Sequence, residues 1–148
     1  MRKFKLQTVL DHRKRLMDHA QRELQQCIED RSALAVIKER EEAEMLWFYE
    51  ELQEAKEQMV DIREIVFCED AILFKKRFLL EIENKIRAAD AMVARKNLQL
   101  VKARQEKRVL EILKEKKEKE SVEKQKRHEM LCMDEVAVLR FGGRNEKD

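Results

Sequence analysis

Proline is absent from the sequence, and glycine occurs only at Gly142 and Gly143. Nothing before residue 142 is a strong breaker, so long helices are the default expectation. Aromatic residues make up only 5% of the chain, against 43% charged residues, a balance suited to extended helices more than to a compact globule. No stretch approaches the roughly 18 apolar residues a bilayer span requires, which excludes direct membrane insertion. The opening MRKFKLQTVLDHRKR carries basic residues but no apolar h-region, so it does not read as a secretory signal. Cysteine is scarce and odd in number: Cys27, Cys68 and Cys132 lie far apart and make no disulfide framework. They read as reduced thiols of a cytosolic protein.

What is present is regular. Apolar residues make up 43% of the 148 positions, spaced evenly enough to argue against disorder. A heptad frame can be laid over residues 10–62. One of its core positions reads Leu10, Met17, Leu24, Arg31, Lys38, Met45, Leu52, Met59; the other reads Arg13, Ala20, Cys27, Leu34, Glu41, Phe48, Ala55, Ile62. The frame holds at both ends and breaks at 31–41, where Val36 and Ile37 suggest a phase slip. A second frame runs through Leu79, Ile86, Val93 and Leu100, with Ile82, Ala89, Ala103 and Leu110 between, and fades after Leu113.

Two amphipathic helices in a chain of this length imply one fold class: an all-α, elongated antiparallel two-helix coiled-coil hairpin, read as a single domain. Helix 1 is expected over about residues 4–60, a turn within 58–70, helix 2 over about 70–140, and a disordered tail at 142–148. Asp61 with Glu64 suits a capping box, and Asp70 is a second candidate N-cap. A turn centred near 62–66 would set residue 6 against about 118–126. The second helix then overhangs the first by one to two dozen residues, roughly 20–35 Å at 1.5 Å per residue.

The overhang explains an odd stretch, KEKKEKESVEKQKRHEMLCMDEVAVLRF, residues 114–141. Its first half is nearly all charge, because no partner helix lies beside it. Its second half returns to apolar residues (Met130, Leu131, Met133, Val136, Val138, Leu139, Phe141) that cannot be hairpin core and so read as a docking surface. The net charge of +2 conceals a gradient. Residues 38–70 hold four basic and twelve acidic side chains, whereas residues 91–128 hold thirteen basic and six acidic. Such a dipole orients a partner in a salt-dependent way.

Catalytic chemistry finds no foothold. There is no Gly-rich phosphate loop and no nucleophile elbow, and Ser32 and Ser121 sit in helical contexts without a neighbouring base. His12 and His19 are seven apart. His128 and Cys132 are four apart, a metal-ligand spacing, but two ligands do not make a metal site. No catalytic, cofactor or metal residue is therefore assigned. The Leu79, Ile86, Val93, Leu100 ladder resembles a zipper, yet the basic region follows it, whereas in basic-zipper proteins it precedes it; nucleic acid is not an expected partner. LWFYEEL (46–52) holds the only Trp and the only Tyr. Phe48 fits the seam, leaving Trp47 and Tyr49 on its flanks. Phe74, Phe78 and Ile82, four apart, suggest one stripe. Apolar stripes of this kind pack within the hairpin or bind a partner.

Several segments resemble the family of the flagellar export protein FliJ, of the bacterial type III export apparatus. At the start these are Phe4-Lys-Leu6-Gln-Thr-Val9-Leu10-Asp-His-Arg13, then Ala20 and Glu23-Leu24. Past the turn, Arg77-Phe78-Leu79 with Ile82-Glu83 and Ile86 is similar to the family's segment there. Ala103-Arg104-Gln-Glu-Lys107, with Leu110-Glu111 and Leu113, resembles its second helix. Lys124-Gln125-Lys126, Met133-Asp134-Glu135-Val136-Ala137 and Arg140-Phe141 resemble its C-terminal signature. The turn departs from the family, lacking the glycine often found there. The resemblance implies a non-enzymatic stalk without cofactor, similar to the central stalk of rotary ATPases. Its partners would be the hexameric flagellar export ATPase, the cytoplasmic region of the export gate, and export chaperones. It would lie in the cytoplasm, peripherally at the inner face of the membrane at the flagellar base. Carried over by motif, Phe78 and Ile82 would face the gate, with Met45 and Tyr49 opposite. Phe4, Leu6, Val9, Leu10, Val136, Leu139 and Phe141 would face the ATPase. The alternatives are the stalk protein of a virulence type III secretion system and a generic coiled coil that homodimerises through the zipper face.

Overall fold

The computed structural model describes residues 4–145, with side chains described through residue 142. The fold is all-α: helix α1 (Gln7–Glu57) and helix α2 (Ile62–Asn145) pack against each other as a hairpin. Contacts divide the chain into two compact units. One comprises residues 17–103, the other residues 1–16 with 104–148.

In the 17–103 unit the core is a narrow seam. On α2 the inward-facing residues recur at alternating steps of three and four: Ile65, Cys68, Ile72, Lys75, Leu79, Ile82, Ile86, Ala89, Val93, Lys96, Leu100 and Ala103 are each buried or half-buried. This is the repeat of a left-handed coiled coil, begun two heptads earlier than the zipper ladder suggested. Across from it Ala20, Leu24, Cys27, Leu34, Glu41, Met45, Phe48, Leu52 and Ala55 supply the other face. The frame thus passes through 31–41 without a phase slip. Val36 points to solvent, and the buried position is Glu41, at 8% exposure. Apolar periodicity lapses there because ion pairs replace methyl groups. Lys75 bonds both Glu41 and Glu44, Lys38 reaches Glu83 at 3.9 Å, and Arg31 meets Asp90 at 2.8 Å.

The turn occupies residues 58–61, earlier than the expected centre near 62–66. α2 accordingly begins at Ile62 rather than near 70, and α1 ends at Glu57 rather than near 60. Asp70 is therefore an interior helical residue and no cap. Asp61 is the N-cap: its side-chain Oδ1 accepts the Arg63 N–H at 3.2 Å and its carbonyl accepts the Glu64 N–H at 3.0 Å. At the other side of the turn the Val60 N–H reaches back to the Ala55 carbonyl at 3.2 Å, closing the end of α1. Met59 takes the left-handed conformation this closure demands, with φ of 49°. It stands where a glycine is ordinarily favoured. Met59 and Ile62, read from sequence as the last seam positions, are both exposed, since the chain leaves the seam at Ala55.

In the other unit, Leu10 is the most buried residue, at 1% exposure, and Arg13 pairs with Glu106 at 2.5 Å. Lys107 and Leu110 continue the three-four repeat, and Lys114 is the last half-buried residue of α2. From 115 through 142 every residue is exposed. Helix persists through Asn145, where a tail from 142 had been expected; residues 146–148 lie outside the described residues.

Candidate functional site

The numbers of facing residues, Arg13 with Glu106, Glu23 with Lys96 and Lys38 with Glu83, add to about 120, not the 124–132 expected. An earlier turn pulls α2 forward against α1. Residue 6 therefore lies level with about residue 114, and α2 runs on for nearly thirty residues, roughly 40 Å at 1.5 Å per residue. The unpaired stretch is longer than its apolar pattern alone indicated.

Chemically this stretch has two parts. Residues 114–128 hold seven Lys and Arg and four Glu. Lys, Arg, Glu and Gln are strong helix formers that lose little side-chain freedom in a helix, so propensity sustains the helix where packing does not. Beyond them, Met130, Leu131, Cys132 and Met133 are consecutive, as are Val136, Ala137, Val138 and Leu139. At 100° per residue, four consecutive positions point to every side of the helix. Leu139, at 74% exposure, and Phe141, at 69%, are among the most open apolar side chains of the unit. A helix apolar on all sides is ordinarily surrounded, and here nothing among the described residues surrounds it.

The positions carried over by motif divide by burial. Val136, Leu139 and Phe141 are exposed, as are Leu6 and Val9, with Phe4 half-buried. Leu10 is buried against its own chain, at a seam position. The early group and the late group do not form one site. Level with residue 114, Leu6 is about twenty residues and some 30 Å short of Val136 along α2. On the 17–103 unit, Phe78 and Met45 are half-buried and Tyr49 is open, with the Lys76 ammonium 5.7 Å from its ring centre. Ile82, at 3% exposure, packs in the seam. Phe74, Phe78 and Ile82 do not make one stripe. Each step of four advances 40° round the helix, carrying Phe74 on the outside through half-buried Phe78 to buried Ile82. The expectation that Trp47 and Tyr49 flank the seam holds. Phe48 packs inward, edge-on to Phe67 at 6.4 Å and to Trp47 at 5.0 Å.

The zipper ladder Leu79, Ile86, Val93, Leu100 faces α1 of the same chain, which leaves that face closed to a second copy. The remaining titratable pairs are local. His19 Nε2 lies 2.7 Å from Glu23, and His128 Nε2 lies 3.7 Å from Cys132 Sγ. Among the described residues no three His, Cys, Asp or Glu side chains gather to hold a metal, and no helix is long and apolar enough to cross a membrane. The ion pairs leave an electrostatic imprint. Hydrogen bonds donated to Glu41 and Glu44 raise Lys75 above the usual lysine range. The Lys75 and Lys96 ammoniums hold Glu44 and Glu23, respectively, below the usual carboxylate range.

Sequence reasoning missed an outward-facing apolar strip on α2 formed by Val66, Leu73, Phe74 and Leu80, with Phe67 at its edge, one side turned to Phe48 of α1 and two-thirds of it open. The signal was present as the seven-residue repeat 66, 73, 80, but the stronger repeat one step away masked it. With this geometry in place, comparison with known proteins gives one finding: the family model described as flagellar FliJ protein matches residues 1–146. Searches of the curated proteins and of the solved structures return no match.

Proposed function

The chain belongs to the flagellar FliJ family and is thereby a component of the flagellar export apparatus; from that premise we propose that it is a non-enzymatic stalk whose exposed α2 segment enters the central opening of the hexameric export ATPase. The observation that carries this reading is the all-round apolar character of residues 130–141. A flat docking surface would cover one side of that helix and leave the rest wet. A ring covers every side. The charged stretch at 114–128 then lies at the entrance, where its basic excess steers an acidic rim and loses strength as salt rises. Val136, Leu139 and Phe141 make the deepest contacts, with Phe4, Leu6 and Val9 a separate, shallower set. The export gate is met on the 17–103 unit by Tyr49, Phe78 and Met45. Export chaperones remain partners in this reading, and the protein acts in the cytoplasm at the flagellar base.

Capture of the export ATPase by the full chain and by a chain lacking residues 130–148 tests it. The truncation abolishes capture while leaving the melting temperature within about 2 °C, since the removed side chains that are described pack on nothing in their own chain. Undiminished capture by the truncated chain overturns the proposal.

A further inference from the structure

α2 carries two heptad seams on opposite faces. The first is consumed by α1. The second reads Val66, Asp70, Leu73, Arg77, Leu80, again at alternating steps of four and three, with Phe67 and Phe74 beside it. Its five apolar members are between 47% and 67% exposed. They cluster within 15 residues, about 21 Å of helix. Among the described residues neither Asp70 nor Arg77 has an ion-pair partner, although most of the nearby charges on the inner flanks do. Open apolar strips flanked by unpaired charges mark interaction surfaces.

The order of residues identifies the occupant. Laid antiparallel on a copy of itself about a two-fold axis between Leu73 and Phe74, the strip complements itself at its three central steps, while Val66 at its edge lies level with Glu81. Leu73 of one copy meets Phe74 of the other, Phe67 meets Leu80, and Asp70 meets Arg77. Each of these contacts occurs twice by symmetry, as an isologous interface requires. Both lone charges are neutralised at once, by the same operation that buries the apolar side chains. A shift by one residue separates the charges and turns the aromatic rings off the strip. We infer that the chain forms an antiparallel homodimer through residues 66–80 of α2, on the face opposite the zipper ladder. This dimer uses none of residues 114–141, so its test does not depend on the ATPase contact; it shares residues 66–80 with Phe78 of the gate contact proposed above.

The strip is shorter than a standard interface, so the dimer is weak, dissociating over about 10–100 µM. Sedimentation equilibrium of the full chain from about 1 to 300 µM is the test. The average mass rises from monomer toward dimer across that range. Asp70→Arg and Arg77→Asp each place two like-charged pairs in the interface and hold the protein monomeric, weakening association at least about tenfold. An equimolar mixture of the two variants restores both opposite-charge pairs and dimerises again, as does the doubly exchanged D70R/R77D chain. Both positions are solvent-exposed, so circular dichroism of every variant matches the parent. A parent chain monomeric at all concentrations overturns the inference and assigns the strip to a different protein. Dimers that persist in both single variants, or a mixture that stays monomeric, overturn it as well.

Discussion

Residues 65–103 and residues 115–142 lie in one helix, and each stays helical by different means. The first stretch is organised by a partner: every third or fourth residue is buried against α1, and charges at inward positions are paired. The second has no partner in the chain and no buried residue. Its charged half is written in strong helix formers, and its apolar half waits on something outside. Helical structure is therefore no measure of tertiary stabilisation. The two stretches should answer mutation in opposite ways.

The largest expected effect separates them directly. Ile82→Ala removes methyl groups from the tightest part of the seam, where little else can close the gap, and should cost about 2–4 kcal/mol in thermal or urea unfolding. Leu131→Ala deletes as much apolar surface from the exposed stretch and should change unfolding by less than about 0.5 kcal/mol. Equal losses at the two sites would show that residues past 114 fold onto the chain after all.

The next effect concerns the charged part of the seam. Lys75→Ala leaves Glu41 buried with no countercharge, at a cost of about 1–3 kcal/mol. Replacing both with leucine should restore most of that loss, because apolar residues of similar size suit the position as well as a buried pair does. These pairs also define a pH window. Lys75 is raised in the folded chain, so its contribution is full below the unfolded value of about 10.4 and lost as pH climbs through the folded value above it. Glu23 and Glu44 are depressed, so theirs is full above about 4.3 and lost as pH falls through the folded values beneath. Melting temperature should be flat between those limits and drop outside both, with the alkaline drop muted in Lys75→Ala.

Much of this was legible in the residues. The missing prolines and the spacing of Leu79, Ile86, Val93 and Leu100 were enough for a two-helix hairpin, and the lapse of apolar residues after Leu113 was enough for an unpaired second helix. Position within the seam was harder to read. Arg31, Lys38 and Glu41 looked like a break because a polar letter at a core position is ambiguous until its partner is known. The partners, Asp90, Glu83 and Lys75, lie between 34 and 59 residues away along the chain. The burial of Leu10 and Ile82 was likewise not legible from the motifs that singled them out, because a motif records that a residue matters and not where it packs. The outer strip at 66–80 was hidden for the opposite reason: its repeat has the same period as the seam, and only the packing shows which of the two faces α1 occupies.

The smallest effect tests the turn that sets all of these registers. A helix can close with a left-handed residue at almost no steric cost when that residue is glycine. Here Met59 fills the position, 92% exposed, so its side chain earns nothing from packing in exchange for the strained backbone. Met59→Gly removes the clash between Cβ and backbone, and in return frees the unfolded chain, which offsets part of the gain. The net should be a stabilisation of about 0.5 kcal/mol, visible as a rise of a degree or two in melting temperature, with the contrast between Ile82→Ala and Leu131→Ala unaltered. A fall instead would mean that Met59 restricts the unfolded chain more than it strains the folded turn. The register of the hairpin would then rest on the Asp61 cap and the ion pairs alone.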